Sequence, residues 1–406
     1  MNQNVSVPAH QTSTLEIVEG DLLLGENVII KGTGNPPVLK VSGTVHCEGN
    51  NIFECDVSAR SLEAEGNVIV HGNLMIENGV EIEDGKLEVY GNMSAKTVDI
   101  DDSLRVSKNL TVEAVDVGGS IKVEGNVKAK EIESGGSFKS EGETVAEKVD
   151  VGGSVSVESE VNIVELEVGG TARVNGGKIR RIDVGGSFTS GKSLEFEQIE
   201  VGGTVQLSGD SKGQDIEVGG SLKVEGNLEF KKIEVGGKAE ISGSGKGQEI
   251  EVGGKVEIGG ALTLSENLEV GGKAKVNKEL IAKNIEVGGI LEACRVEAEN
   301  HVEVGGSITT KEGVTARFVE IGNRGTARGL IKADTIVVGK EASVESIYGK
   351  EVYLKSRATA ENVYGESVKI DSYCRINGVL QYKRELKIGE NVALAKEPQK
   401  VDSPLF

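Results

Sequence analysis

Along most of this chain, apolar and polar residues alternate in short runs broken by Gly, Asn or charged residues. Residues 219–235 show the unit. Leu222-Lys223-Val224, Leu228-Glu229-Phe230 and Ile233-Glu234-Val235 are opened by Gly219-Gly220 and separated by Gly226-Asn227 and Lys231-Lys232. Alternation with a period of two predicts a strand with one buried face, and the runs are too short for a helix. The pairs Leu222/Val224, Leu228/Phe230 and Ile233/Val235 therefore predict three inward faces joined by three corners. The same design recurs as Val155/Val157, Val161/Ile163 and Leu166/Val168, and as Ala274/Val276, Leu280/Ala282 and Ile285/Val287. Gly and Asn accept a positive φ, which is the expected reason for their place at the corners.

The pair Gly-Gly keeps time. Its first residue falls at Gly118, Gly135, Gly152, Gly169, Gly185, Gly202, Gly219, Gly236, Gly253, Gly271, Gly288 and Gly305. Nine of these eleven steps are 17 residues, one is 16 and one is 18. Fixed self-similarity predicts a stack of equivalent units. Each strand would pair in parallel with its counterpart one turn on, giving an all-β, single-stranded parallel β-helix: a triangular solenoid of about 17 residues per turn. A looser form of the pattern runs toward both ends, through Gly66-Asn67, Gly72-Asn73 and Gly91-Asn92 upstream and Gly322, Gly339, Gly349 and Gly365 downstream. The expected organisation is a polar N-terminal tail over 1–14, a continuous solenoid over 15–394 of roughly 22 turns, and a flexible C-terminal tail over 395–406.

Two turns depart together. Residues 208–214 and 242–248 replace the middle apolar pair by Ser and Gly, with Leu228/Phe230 between them. The expectation is that the Phe230 ring fills the space its Gly-rich neighbours leave. The alternative is a flattened face that docks a partner.

Composition narrows the function. Aromatic residues are 3% and Trp is absent, as suits a narrow core of Val, Ile, Leu and Ala. Four Cys in 406 residues form no disulfide framework, and Cys47, Cys55 and Cys374 read as small core residues. No metal-ligand spacing and no cofactor motif occurs, and the four His (His10, His46, His71, His301) lie on no excursion from the coil. An enzyme needs convergent groups in a concavity, so no enzyme is expected. The run Asp99-Ile100-Asp101-Asp102 lacks the calcium-repeat pattern. A net charge of −20 argues against nucleic-acid binding. That charge is uneven: residues 320–406 hold 14 basic against 12 acidic side chains, and the rest 31 against 53. No signal peptide and no apolar run long enough for a transmembrane helix is apparent, so a cytoplasmic location is expected.

The unit Ile-Glu-Val-Gly-Gly-Ser-Leu-Lys-Val-Glu-Gly-Asn-Leu (residues 216–228) and the closing stretch around Val344, Tyr348-Gly349, Tyr364-Gly365 and Val368 resemble the bactofilins and related polymer-forming cytoskeletal proteins. The resemblance implies a right-handed β-helix that polymerises end to end without nucleotide and acts as a scaffold for other proteins. A bactofilin core is shorter, so this chain would be a repeat-expanded member. Its first 14 residues lack the apolar membrane-touching tail of many bactofilins.

A solenoid has two ends with unpaired strand edges, which must be capped or paired. The expected self-assembly residues are Leu22, Leu24, Val28 and Ile30 at one end and Ile376, Val379, Leu386 and Ile388 at the other. Residues 396–406 would fold over the second end as a cap. The contrasting reading is a non-polymerising rod that displays partners along its faces.

Overall fold

The structure is a computed structural model and describes residues 3–402. All regular structure among these residues is β. The chain divides into two units, residues 1–202 and 203–406. In each, every turn of the coil crosses three stacks, and its segment in each stack pairs in parallel with the equivalent segment of the next turn.

Unit 1 opens with Val5–Val7, which pairs with Leu22–Leu24, and Thr12–Thr14, which pairs with Ile29–Lys31. The expected polar tail is thus already coil. Its strands were disguised by Ser and Thr, which supply backbone ladder bonds as well as any residue while carrying little hydrophobic signal. The pairing offset is 23 residues between the next two turns (Ile29↔Ile52) because residues 32–37 leave the coil, with Thr33 bridging Val38 in antiparallel fashion. Beyond residue 86 the offset settles to 17 (Leu87↔Leu104, Leu104↔Ile121). The step of 16 is absorbed at one corner, where Gly176 and Gly177 adopt φ of 94° and 113° and Gly177 pairs with Val161.

Unit 2 repeats the design in its own three stacks. One holds Thr204–Ser208, Ser221–Glu225, Lys238–Ile241 and Lys255–Ile258. A second holds Ser211–Lys212, Leu228–Glu229, Gly245–Gly247 and Leu262–Leu264. The third holds Asp215–Val218, Lys232–Val235, Glu249–Val252 and Asn267–Val270. From residue 273 the strands run through the corners, so Lys273–Val287 alone joins all three stacks.

All nine apolar pairs read from the three sample turns are buried, as are Cys47, Cys55 and Cys374. Burial pushes the Cys47 thiol up to about 12 and that of Cys55 to about 11, so both are inert core groups. Phe230 is buried over the Gly-rich strand Gly245–Gly247.

The corners need glycine for a reason other than the expected one. None of the twelve recurring Gly-Gly pairs from Gly118 to Gly306 has a positive φ. Instead, a Cβ placed on Gly135, Gly152, Gly169, Gly185 or Gly202 would come closer than 3.0 Å to the carbonyl oxygen of the equivalent glycine one turn earlier. Gly236, Gly253, Gly271, Gly288 and Gly305 repeat this in unit 2. The constraint is close stacking of backbone on backbone. Among the Gly-Asn corners, Gly66 and Gly226 have positive φ, at 98° and 152°, whereas Gly72 and Gly91 do not.

The asparagines of those corners act through their side chains. Asn73 N donates to Asp56 Oδ1 (2.7 Å), Asn92 N to Asn73 Oδ1 (2.9 Å), Asn109 N to Asn92 Oδ1 (3.3 Å), Asn126 N to Asn109 Oδ1 (2.9 Å) and Glu143 N to Asn126 Oδ1 (3.0 Å). Unit 2 holds a shorter ladder, with Asn227 N donating to Asp210 Oδ1 (2.8 Å) and Ser244 N to Asn227 Oδ1 (2.8 Å). Each side chain satisfies a backbone donor that the bend would otherwise orphan.

Candidate functional site

The expected assembly residues divide sharply. Leu22, Leu24, Val28 and Ile30 are buried. Leu22–Leu24 pairs with Val5–Val7 on one side and Thr44–Glu48 on the other, and Ile29–Lys31 lies between Thr12–Thr14 and Asn51–Phe53. They form no end face, because a complete turn precedes them.

At the other end, Ile376 is buried and its strand pairs with Ala393–Leu394, so it too lies inside. Val379 and Leu386 are half-buried and Ile388 is 44% exposed. Residues 385–388 pair with residues 367–370 of the previous turn. Among the described residues no strand pairs with residues 385–388 on their other side. Leu386 and Ile388 occupy the columns of Val368 and Ile370, which are buried. They are inward-facing residues, and among the described residues no further rung covers them.

The expected cap takes another form. Gln399–Lys400 pairs in parallel with Gln381 and Tyr382, and Val401 N donates to Tyr382 O (2.9 Å). Residues 395–402 add a rung to the coil and are not a free tail. Residues 403–406, the rest of the expected cap, lie outside the described residues.

Register also aligns charge, which spacing alone leaves implicit. In unit 1 the outward centre of one stack reads Glu63, Glu81, Asp99, Asp116, Glu133, Asp150, Glu167, Asp183 and Glu200. In unit 2 it reads Glu217, Glu234, Glu251, Glu269, Glu286, Glu303 and Glu320. Like charges directly opposite destabilise a sheet. Lysines offset this in places: Lys148 Nζ lies 3.1 Å from Asp150 and 3.5 Å from Glu167, and Lys232 bridges Glu234 and Glu249. Burial and the neighbouring Glu286 and Glu251 carboxylates hold the Glu269 carboxyl above its ordinary value, and burial with Glu131 and Asp116 does the same for Glu133.

Three of the four histidines take side-chain contacts. His46 Nδ1 lies 3.1 Å from Glu63, His301 Nε2 lies 2.9 Å from Glu286, and His71 stacks on Tyr90 with ring centroids 4.9 Å apart. Among the described residues no group of His, Cys, Asp or Glu is arranged to hold a metal ion, and no helix is long and apolar enough to cross a membrane. The concavities are grooves on the outer faces. One of about 480 Å³ in unit 1 lies over the outward stripe Ile29, Ile52 and Ile69, beside Asn50 and Asn67.

Compared with known proteins, the chain matches no family model, and no curated protein or solved structure is similar to it.

Proposed function

We propose that this protein is a structural element that self-assembles end to end through its β-solenoid, without nucleotide. The observation that carries the reading is the inward column of Leu386, half-buried, and Ile388, exposed, at residues 385–388, whose outer backbone groups face no further strand among the described residues. An edge of this kind is a template for strand addition. A second copy supplying a matching rung would bury both side chains and extend the ladder in register. The resemblance to bactofilins points the same way. A cytoplasmic scaffold that positions other proteins is the role that resemblance implies.

Negative-stain electron microscopy at low and high salt tests this. Filaments one solenoid wide are expected from the full chain. Leu386→Glu with Ile388→Glu should shorten or abolish them while leaving the far-UV circular dichroism unchanged. Isolated rods of one length at all concentrations would overturn the reading.

The groove over Ile29, Ile52 and Ile69 favours a second reading, a rod that displays a partner along one face. Apolar residues at three successive outward positions are unusual on a charged solenoid surface.

A further inference from the structure

The glutamate stack of unit 2 changes character near the C-terminus. Continuing in register, its outward centre reads Glu303, Glu320, Val337, Tyr353, Lys369, Lys387. Two acids, two largely apolar residues and two bases follow at the inter-strand spacing of about 4.8 Å. Read backwards, the stripe is its own complement.

We infer that this face pairs with the same face of a second copy, the two solenoids lying side by side and antiparallel about a two-fold axis. The axis runs along the strand direction, between Val337 and Tyr353. It sets Val337 against Tyr353 of the second copy, Glu320 against Lys369 and Glu303 against Lys387, each contact occurring twice. A contact of this kind is isologous and closes at two copies. Val337 is half-buried and Tyr353 is 37% exposed, so the centre offers apolar surface while the charges lie outside it. A shallow groove of about 350 Å³ runs along the same residues.

The neighbouring columns obey the same symmetry, which the central stripe does not require. Two residues upstream the stack reads His301, Phe318, Thr335, Glu351, Ser367, Glu385. Reversal sets His301 against Glu385, Phe318 against Ser367 and Thr335 against Glu351. On the other side, Lys355 meets Gly339 and Asp371 meets Gly322. No like charges meet in any of the three columns. A parallel arrangement in register would oppose Lys369 to Lys369 and Glu320 to Glu320. Like-charge juxtaposition of that sort selects against wrong partners. Within one copy Glu320 already holds Lys355 (3.0 Å) and Lys387 holds Glu385 (2.8 Å), so the cross-copy pairs share these partners. The contact is therefore expected to respond strongly to salt.

The test uses the full chain and is independent of growth at the ends, which lengthens a particle without widening it. Sedimentation velocity is run in salt of about 10 mM, where the screening length is about 30 Å, and about 1 M, where it is about 3 Å. Negative stain reads the number of solenoids across each particle. Paired solenoids are expected at low salt and single ones at high salt. Lys369→Glu with Lys387→Glu should weaken pairing by at least about tenfold, as should Glu303→Lys with Glu320→Lys. An equal mixture of the two variants, and the chain carrying all four changes, should pair again, with thermal melting confirming that each variant is folded. Wild type that stays single at low salt would overturn the inference, as would charge-reversed variants that pair like wild type or a four-change chain that does not recover.

Discussion

Phe230 and Gly247 share one space: a methyl group on Gly247 would lie 2.7 Å from Cζ of the Phe230 ring and closer still to Cε2 and Cδ2. The ring extends from its own turn over the glycine-rich strand of the next. Phe230→Ala should therefore cost about 3–5 kcal/mol, the range for emptying a buried aromatic site. Gly247→Ala should cost about 1–3 kcal/mol by overpacking. Denaturant unfolding of both variants and of the double variant measures the coupling. The double variant should be more stable than the sum of the two losses predicts. Simple additivity would mean that ring and glycine do not share the space.

Corner glycines give a second test. Gly152→Ala or Gly169→Ala sets a methyl group against the carbonyl of the turn before, although neither backbone is left-handed. Each should lower stability by about 1–3 kcal/mol. Thr171→Ser, one residue beyond the same corner on an exposed position, should change it by less than about 0.5 kcal/mol. Differential scanning calorimetry separates the two outcomes.

Asn109 accepts from Asn126 N, so Asn109→Ala removes one rung of the ladder and should cost about 1 kcal/mol. Asn109→Asp retains an acceptor of the kind Asp56 and Asp210 already provide at equivalent corners. Hydrogen exchange at the Asn126 amide should quicken in the first variant and stay close to wild type in the second.

Thr144 Oγ1 is a buried side-chain oxygen with no hydrogen-bond partner among the described residues. Its hydroxyl bears a desolvation cost that nothing repays. Thr144→Val keeps the shape and removes the polar atom, and should raise the melting temperature. A fall would mean that the hydroxyl has a partner such as bound water.

The carboxylates set the pH dependence, and two groups act in opposite senses. Glu133 and Glu269 have raised values, so their ionised forms are penalised in the fold. That penalty is full above the raised value and vanishes below the ordinary value of about 4.3. Glu257 is held down to about 2 by hydrogen bonds from Lys255 and Lys238. Its stabilising contribution is complete above about 4.3 and is lost as pH falls toward 2. Exposure of these pairs keeps each effect small. The melting temperature should rise as pH is lowered from 7 toward about 4.3, where the penalty on Glu133 and Glu269 is relieved, and fall below that as Glu257 takes up its proton. A monotonic decline from pH 7 would contradict the contribution assigned to the carboxylate stacks.

Inward positions were legible in the sequence because burial and alternation are local. Leu222/Val224, Leu228/Phe230 and Ile233/Val235 needed only their own turn to be read. The role of Phe230 was also legible, since the neighbouring turns supply the glycines that make room for it. The start of the coil was not: Val5-Ser6-Val7 and Thr12-Ser13-Thr14 carry too few apolar atoms to stand out, and their place comes from backbone pairing. That error moved the expected end face a full turn inward, to residues that are buried. The corner glycines were placed correctly and explained wrongly, because the atom that forbids a side chain at Gly152 belongs to Gly135, outside the turn being read. The charge order from Glu303 to Lys387 was likewise hidden, since it appears only once residues from six turns are lined up.

The run from Glu217 to Glu320 makes one face of unit 2 a line of closely spaced carboxylates, of which Lys232 and Lys355 offset two. Two charges in water interact with the thermal energy at about 7 Å, and neighbours in this stack stand about 4.8 Å apart. Such a line gathers mobile cations into a condensed layer, as the phosphates of DNA do. Whatever approaches that face meets a sheath of counterions first, and displacing them releases entropy into the solvent.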